Sequence, residues 1–386
     1  QLHFKSRMWP LLGCLMLVLH PRIFANSFYN SVDMALLSFY IISLYTLVRY
    51  LRAKSLAMAA SHAFACAILI DIRLIGVVMP FLSCIFLLWD MVKTRHDKAE
   101  LTRQVRNAAA YTLLMGFFII LFWPYLWRNP VMGIIEIIQE TPRIQFGGMI
   151  LYFGEYIKAT QLPWHYLPVW IVISTPVLYH FFFAGGGLVT WKHFTDSSCR
   201  SSAGARNELL FFLAFLFPAL LVIAANATLY DSWRHMFFIY PAFVLVALTG
   251  IEACRAFLVK QARGAIRLAG RAALASLIVA SFLSTGIFMI QSHPHQNVYF
   301  NCLLGKNMEK ARENFDLDYW GLSYRKALEY ILANDKNETI RIFDAMLFGP
   351  MINNIKLLPA AERKRICQVW TPGEAEYLIT VYRQVW

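Results

Sequence analysis

Charge is what this sequence has least of. Only 15% of its 386 residues are Asp, Glu, Lys or Arg, against about 25% in an ordinary soluble domain. The acidic residues are scarcest, 23 against 36 basic ones, and the net charge is +13. A chain this poor in charge and 58% hydrophobic is excluded from the soluble globular class. Paired cysteines are missing too. The seven, at 14, 66, 84, 199, 254, 302 and 367, make no Cys-x-x-Cys, so neither a zinc site nor a disulfide framework is supported. Cys302 and Cys367 could pair in the tail; buried free thiols are the ordinary reading. No phosphate-binding loop is present. Gly185-Gly186-Gly187 has no Lys-Ser/Thr after it and reads as a place where helices pack closely. No cleavage site follows the first apolar run, and the first residue is Gln1 rather than Met. The start therefore reads as an interior cut, without a signal peptide.

What is there instead is a series of apolar runs near the ~20 residues needed to cross a bilayer. They lie at about 8–20, 33–50, 56–70, 73–92, 108–124, 165–190, 208–225, 235–252 and 268–290. The first and third are short for ~30 Å of hydrocarbon and suit broken or tilted helices. Residues 130–139 read as a helix at the interface, within an outer loop over 125–165. From 293 the composition turns soluble. The expected fold is an α-helical polytopic membrane domain over 1–292, with about nine spans, followed by a small α/β domain over 293–386. In that tail, Ser323 predicts the cap of a helix over Tyr324–Ala333. Residues 339–343 and 376–381 read as strands, and 360–369 as a helix. The chain stops just after the last strand, so the tail reads as cut as well.

Lys and Arg set the orientation. One set of connections holds Lys5, Arg7, Arg49, Arg52, Lys54, Lys93, Arg95, Lys98, Arg103, Arg106, Lys192, Arg200, Arg206, Arg255, Lys260, Arg263, Arg267 and Arg271, eighteen in all. The alternate set holds six: Arg22, Arg73, Arg128, Arg143, Lys158 and Arg234. The richer set is cytoplasmic by this rule. The tail then lies outside the cytoplasm, and the positive charge needs no nucleic acid to explain it.

Four polar segments share the outer side. They are 20–33, Asp71-Ile72-Arg73, the loop 125–168 with Trp164, His165 and Tyr166, and Tyr230-Asp231-Ser232-Trp233-Arg234-His235. Ionisable groups at membrane depth are costly and point to function. Asp33, Asp71, Arg73, Asp231, Arg234 and His235 at span mouths suggest a polar cavity open to the outer face. Its arginines would hold an anion, most naturally a phosphate, whose oxygens match the guanidinium fork. Its carboxylates would orient or activate a hydroxyl. The plainer reading pairs Asp71 with Arg73 and Asp231 with Arg234 as self-satisfied ion pairs. The aromatics, Trp164 and Trp170 among them, line a sugar cleft or form an interfacial belt. His20, His165 and His235 have no metal-ligand spacing, so no metal or other cofactor is implied. The cytoplasmic loops are short and leave no room for a catalytic domain. Outside the cytoplasm soluble activated donors are generally unavailable, which favours a lipid-borne one.

These residues resemble the polyprenyl-phosphate-dependent glycosyltransferases of the GT-C class. The nearest groups are the protein O-mannosyltransferase and aminoarabinose transferase relatives, glycosyltransferase family 39 and its bacterial cousins. Pro21-Arg22-Ile23-Phe24 followed by Asn30-Ser31-Val32-Asp33 looks like the family's Arg-to-Asp stretch leading into a span. Asp71-Ile72-Arg73-Leu74-Ile75-Gly76 is similar to a motif of one bacterial branch. Tyr230-Asp231-Ser232-Trp233-Arg234-His235, with Tyr240-Pro241, is similar to a signature at the outer end of a late span. Asn297-Val298-Tyr299-Phe300-Asn301 and Asp316–Ser323 look like the same branch.

The resemblance implies a GT-C-like bundle in the cell membrane, a bacterial inner membrane by the branch it is similar to, that moves a sugar from a polyprenyl phosphate to an acceptor hydroxyl. The acceptor would be a glycan, lipid or protein. It implies Asp33 as a second active-site carboxylate and Arg234 as a phosphate contact, with Arg22, Asp71, Arg73, Trp164, His165, Tyr230, Asp231 and His235 around them. The main base belongs to a first outer loop that is expected upstream of Gln1. Two rival classes share the same outer charges. One is a transporter or flippase of a lipid-linked anion; the other is a non-catalytic membrane subunit.

Overall fold

The computed structural model describes residues 3–4, 6–140, 146–200, 202–261, 264–305, 308–345 and 349–381. Lys5, Arg143 and Arg263, which entered the charge count, lie outside the described residues. The chain is mostly helical. It opens with α1 (Met8–Val18), α2 (Pro21–Asn26), α3 (Ser31–Ala53), α4 (Leu56–Ile72), α5 (Val78–Lys93), α6 (Lys98–Phe122) and the short α7 (Pro130–Glu140). A hairpin of β1 (Met149–Tyr152) and β2 (Glu155–Lys158) follows. Then come α8 (Tyr166–Ser174), α9 (Val177–Thr195), α10 (Ser197–Arg200), α11 (Ala203–Ala224), α12 (Tyr240–Gln261) and α13 (Gly264–Gln291). The tail holds α14 (Met308–Asn314), α15 (Tyr324–Asn334), β3 (Ile340–Asp344), α16 (Gly349–Lys356), α17 (Ala360–Arg363), β4 (Ile366–Val369) and β5 (Tyr377–Ile379).

Among the described residues, six helices are long and apolar enough to cross a membrane: Ser31–Ala53, Leu74–Lys93, Lys98–Phe122, Ala203–Ala224, Arg234–Lys260 and Gly264–Gln291. The two short runs expected from the sequence are the shorter apolar helices α1 and α4. The run over 165–190 is not the single span expected. It is α8 and α9, bent by 119°. Pro176 is the cause. Proline clashes with a helical conformation in the residue before it, and Thr175 is accordingly extended, with φ −105° and ψ 144°.

Helix packing is tightest where glycines meet. A Cβ built on Gly186 would lie 1.9 Å from the Val246 carbonyl oxygen, and one on Gly250 would lie 2.0 Å from that of Phe182. Only glycine lets the backbones of α9 and α12 approach so far. Gly186 is the middle of the three glycines read from the sequence as a packing contact. α3, α11 and α12 form the buried centre, and Tyr40 donates from α3 to the Ala214 carbonyl of α11 at 2.6 Å. α6 and α13 are mostly exposed. At the end rich in Lys and Arg, Arg206 of α11 clamps Asp90 of α5 at 2.7 and 2.9 Å. Lys54, at the end of α3, pairs with Glu100 of α6 at 3.3 Å.

The tail builds its own apolar core from Tyr324, Leu328, Ile331, Ile340, Ile342 and Met351. Its sheet has the order β4-β3-β5, both pairs parallel. The strands expected at 339–343 and 376–381 are β3 and β5. The helix expected over 360–369 is one turn, α17, followed by β4. Ile366 pairs with Ile340, and Arg365 bonds to the carbonyls of Leu332, Asp335 and Asn337, which fixes the chain as a strand. Ser323 is not a side-chain cap for α15. The Asp318 carboxylate accepts the Leu322 and Ser323 N–H groups instead, at 3.1 and 2.7 Å. All seven cysteines, Cys302 and Cys367 included, are free.

The tail docks on the β1–β2 hairpin and on the α8–α9 break. Tyr152 of β1 bridges to Phe315, and Leu151 N–H donates to Asp316 at 3.2 Å. Asn301 Nδ2 donates to the carbonyls of Val172 and Thr175, each at 2.6 Å. Its own N–H donates to the Ile173 carbonyl at 2.8 Å. A helix broken by proline leaves orphan carbonyls, and here a tail residue satisfies them.

Candidate functional site

Two asparagines place Asp33. α2 begins at Pro21, with His20 as its cap, and Asn26 in its last turn donates to the Arg22 carbonyl at 2.9 Å. Asn30 caps α3, its side chain accepting the Asp33 N–H at 3.3 Å. The same amide donates to Asn26 Oδ1 at 3.0 Å and to Asp33 Oδ2 at 2.6 Å. Asp33 thus sits in the first turn of α3, where the helix dipole favours a negative charge.

Two arginines converge on that carboxylate. Arg73, just past the end of α4, pairs with Asp33 Oδ1 at 2.7 Å. Arg234 donates to Asp33 Oδ2 at 3.0 Å and holds Asp231 Oδ2 at 3.1 Å. Asp33 is 1% exposed, and Arg234 is buried with it. Asp231 and Ser232 both have left-handed backbones, with φ 59° and 63°. Such conformations cost non-glycine residues of order 1–3 kcal/mol each and gather at functional sites. The turn they form brings Arg234 back over Asp33.

The expected pairing of Asp231 with Arg234 is present; that of Asp71 with Arg73 is not. Arg73 turns to Asp33. Both Asp71 oxygens are buried and have no hydrogen-bond partner among the described residues. The reason is the chain direction: Asp71 still belongs to the last turn of α4, while Arg73 is already extended at φ −154°.

Arg22 is fully buried, its guanidinium against the rings of Phe300 and Trp170 at 4.6 and 5.0 Å. Its Nε donates to the Tyr299 carbonyl at 2.8 Å. Neither Nη1 nor Nη2 completes a hydrogen bond to a described residue, although the Tyr319 hydroxyl lies beside them. Burial pushes the Tyr319 and Tyr29 hydroxyls above the usual tyrosine value, so both remain neutral donors at physiological pH. Trp320, next to Tyr319, lies under the Arg234 guanidinium at 5.2 Å and against the Tyr29 ring at 5.5 Å. Two tail residues therefore close over groups from α2 and from the turn before α12.

A solved structure that the chain is similar to is the apo form of the Archaeoglobus fulgidus oligosaccharyltransferase. The two are 12% identical, with a TM-score of 0.45, over 97% of this chain and 54% of that one. The chain spans about half the length of that protein. No family model matches the chain, and no curated protein matches it.

The remaining expected site residues divide. Tyr230 stacks on Phe146 at 4.3 Å, carries the Arg234 guanidinium at 4.9 Å and meets the His235 ring edge-on at 4.5 Å. Both therefore belong to the Arg234 surroundings. Trp164 and His165 do not join the network through any described hydrogen bond or ion pair. Trp164 is exposed and borders a groove with Leu162, Tyr166 and Leu229. His165 Nδ1 bonds to the Tyr152 hydroxyl at 2.7 Å, which fixes the hairpin. Among the described residues no group of three or more His, Cys, Asp or Glu is placed to hold a metal ion. Asn26 is a site residue that the sequence reading did not single out, and Asn30 entered it only as part of the stretch leading to Asp33. Their i, i+4 spacing, with Asp33 three residues on, was the available signal.

Proposed function

We propose that the chain is a membrane glycosyltransferase that moves a sugar from a polyprenyl-phosphate donor to an acceptor hydroxyl on the extracytoplasmic face. One observation carries this reading. Arg73 and Arg234 meet buried Asp33 at one end of the bundle, and Asp71 there has no hydrogen-bond partner among the described residues. The Asp33 carboxylate is already engaged by two guanidinium groups and an amide. Asp33 accordingly holds Arg73 and Arg234 in position for a phosphate, and Asp71 is the group free to take the proton of an attacking hydroxyl. Arg22, whose Nη1 and Nη2 complete no hydrogen bond to a described residue, is a further phosphate contact. The motifs that resemble the GT-C family support Arg234 as a phosphate contact and place Asp33 in the same site. The acceptor is a glycan, a lipid or a protein, and the membrane is a bacterial inner membrane with residues 293–386 on its outer side.

A discontinuous helix such as α8–α9 is the feature that favours a transporter, because such breaks coordinate substrate ions. Here the freed carbonyls of Val172, Ile173 and Thr175 are bonded to Asn301, which speaks for a structural break. The test is transfer by the purified chain from a labelled polyprenyl-phosphate sugar to a pool of hydroxylated acceptors, alongside flux of the same lipid across a vesicle bilayer. Transfer supports the enzyme reading. Lipid flux without transfer overturns it.

A further inference from the structure

Two arginines are buried among the described residues, Arg22 and Arg234, and their partners differ. Arg234 pairs with Asp33 and Asp231. Arg22 pairs with no carboxylate among the described residues; its Nε bonds only to the Tyr299 carbonyl. Three acidic side chains stand on the segments around it, and each is engaged elsewhere. Asp231 holds Arg234, Asp316 accepts the Leu151 N–H, and Asp318 accepts the N–H groups of Leu322 and Ser323. A guanidinium does not lose its proton in a protein, and a buried charge without a counter-ion is costly. The rings of Phe300 and Trp170 recover a small part of that cost. Under its tail the molecule thus keeps a positive charge that no described carboxylate balances.

Donors without partners gather at the same place. They are Arg22 Nη1 and Nη2, the hydroxyls of Tyr29, Ser232 and Tyr319, and the Trp320 indole N–H, all buried and unbonded among the described residues. The Tyr319 hydroxyl lies beside Arg22 and Ser232, and that of Tyr29 lies beside Tyr319 and Arg22. Trp320 meets the Tyr29 ring and the Arg234 guanidinium, so it stands between the two arginines. Buried polar groups are almost always bonded, and a cluster of orphans marks a place for water, an ion or a ligand. Water satisfies donors; only an anion also balances the charge. The donors come from α2 and the residue Tyr29 after it, from the turn before α12 and from the tail. A tetrahedral phosphate meets so wide a spread better than a flat carboxylate, while still matching the guanidinium fork.

We propose that Arg22, Tyr29, Ser232 and Tyr319 form a second oxyanion pocket, beside the Arg73–Arg234 pair and closed over by the tail, that takes a phosphate group of its own. The pocket stands on burial and charge; that its phosphate belongs to a transfer substrate rests on the glycosyltransferase reading. The phosphate is either a second one on the lipid donor or one on another molecule. The test is isothermal titration of the full chain in phosphatidylcholine nanodiscs with inorganic phosphate, farnesyl phosphate and farnesyl diphosphate, with empty nanodiscs as the blank. Saturable phosphate binding that Arg22→Met abolishes is the expected result. Tyr319→Phe removes one donor at nearly constant shape, weakens the same binding by about ten- to a hundredfold, and decides the matter if Arg22→Met does not fold. If the donor carries both phosphates, farnesyl diphosphate binds more tightly than farnesyl phosphate, and Arg22→Met removes the difference. If the phosphate comes from another molecule, inorganic phosphate still binds a chain saturated with farnesyl phosphate. Either outcome supports the pocket. Absence of phosphate binding, or wild-type binding by Arg22→Met or Tyr319→Phe, overturns it. So does competition between inorganic phosphate and farnesyl phosphate without preference for the diphosphate, since one pocket then serves both. The titration contains no sugar and no acceptor, so its failure leaves the transfer reading standing, and failed transfer leaves the titration standing.

Discussion

Replacing Asp33 by Asn tests whether this carboxylate is a clamp. The side chain is 1% exposed and receives Arg73 at 2.7 Å, Arg234 at 3.0 Å and Asn30 at 2.6 Å. Breaking a buried ion pair on one side costs about 3–5 kcal/mol, because the other charge is left uncompensated. Two features reduce that here. Arg73 is about a third exposed (31%) and regains water, and Arg234 keeps Asp231. A loss of roughly 2–3 kcal/mol remains. Asp33→Asn should therefore unfold more readily in detergent micelles than wild type. Arg73→Gln alone should cost less, as a partly exposed partner does. Combining the two should cost less than their sum, with a coupling of about 0.5–3 kcal/mol, since both remove one shared pair. The measurement is a double-mutant cycle on unfolding of the purified chain. Additive losses, or an Asp33→Asn protein as stable as wild type, would refute the clamp.

Other consequences follow from the same geometry. Asp71→Asn should lower sugar transfer by about 10²–10⁴-fold, the usual worth of a general base, with unfolding unchanged; full activity would remove Asp71 from the chemistry. Gly250→Ala should destabilise the α9–α12 contact by about 1–3 kcal/mol or more, as overpacking does, visible as lower yield of folded protein on size-exclusion chromatography. Asn301→Leu removes the amide bonds to the Val172 and Thr175 carbonyls and should cost about 1–3 kcal/mol, read as earlier thermal unfolding. Trp320→Ala should raise KM for the lipid donor more than it lowers kcat, because the indole supports Arg234 from below and touches no reacting atom.

The membrane part is largely legible in the sequence because hydropathy alone locates apolar helices, and the helices α1, α3–α6, α11, α12 and α13 fall on the expected runs. The break after Ser174 is visible as Pro176 within an apolar stretch, but length alone favours one continuous span. The β1–β2 hairpin is harder to see. Its signal is Phe153-Gly154 between alternating residues, both with positive φ at 53° and 82°, the conformation that two-residue hairpin turns require. β4 escapes a sequence reading because Ala-Ala-Glu-Arg just before it carries helix propensity, while parallel pairing with β3 is a tertiary fact. At the site, the residue types are readable and the pairing is not. Sequence proximity suggests Asp71 with Arg73, whereas the helix end that separates them sends Arg73 to Asp33, across to another helix. Trp164 and His165 are drawn in by sequence proximity to a loop that folds on itself, His165 bonding to Tyr152.

The bonds from Asn301 to the α8–α9 elbow bear on how the chain is made. Val172 and Thr175 emerge from the ribosome some 129 and 126 residues before the amide that completes them. Until then the elbow has only its own His180, 3.2 Å from the Val172 carbonyl, as a partner, and polar backbone left unbonded in lipid costs several kcal/mol per group. Three further hydrophobic helices, α11, α12 and α13, must be inserted before Asn301 can arrive. Completion of an early bend is thereby tied to the correct placement of a late segment.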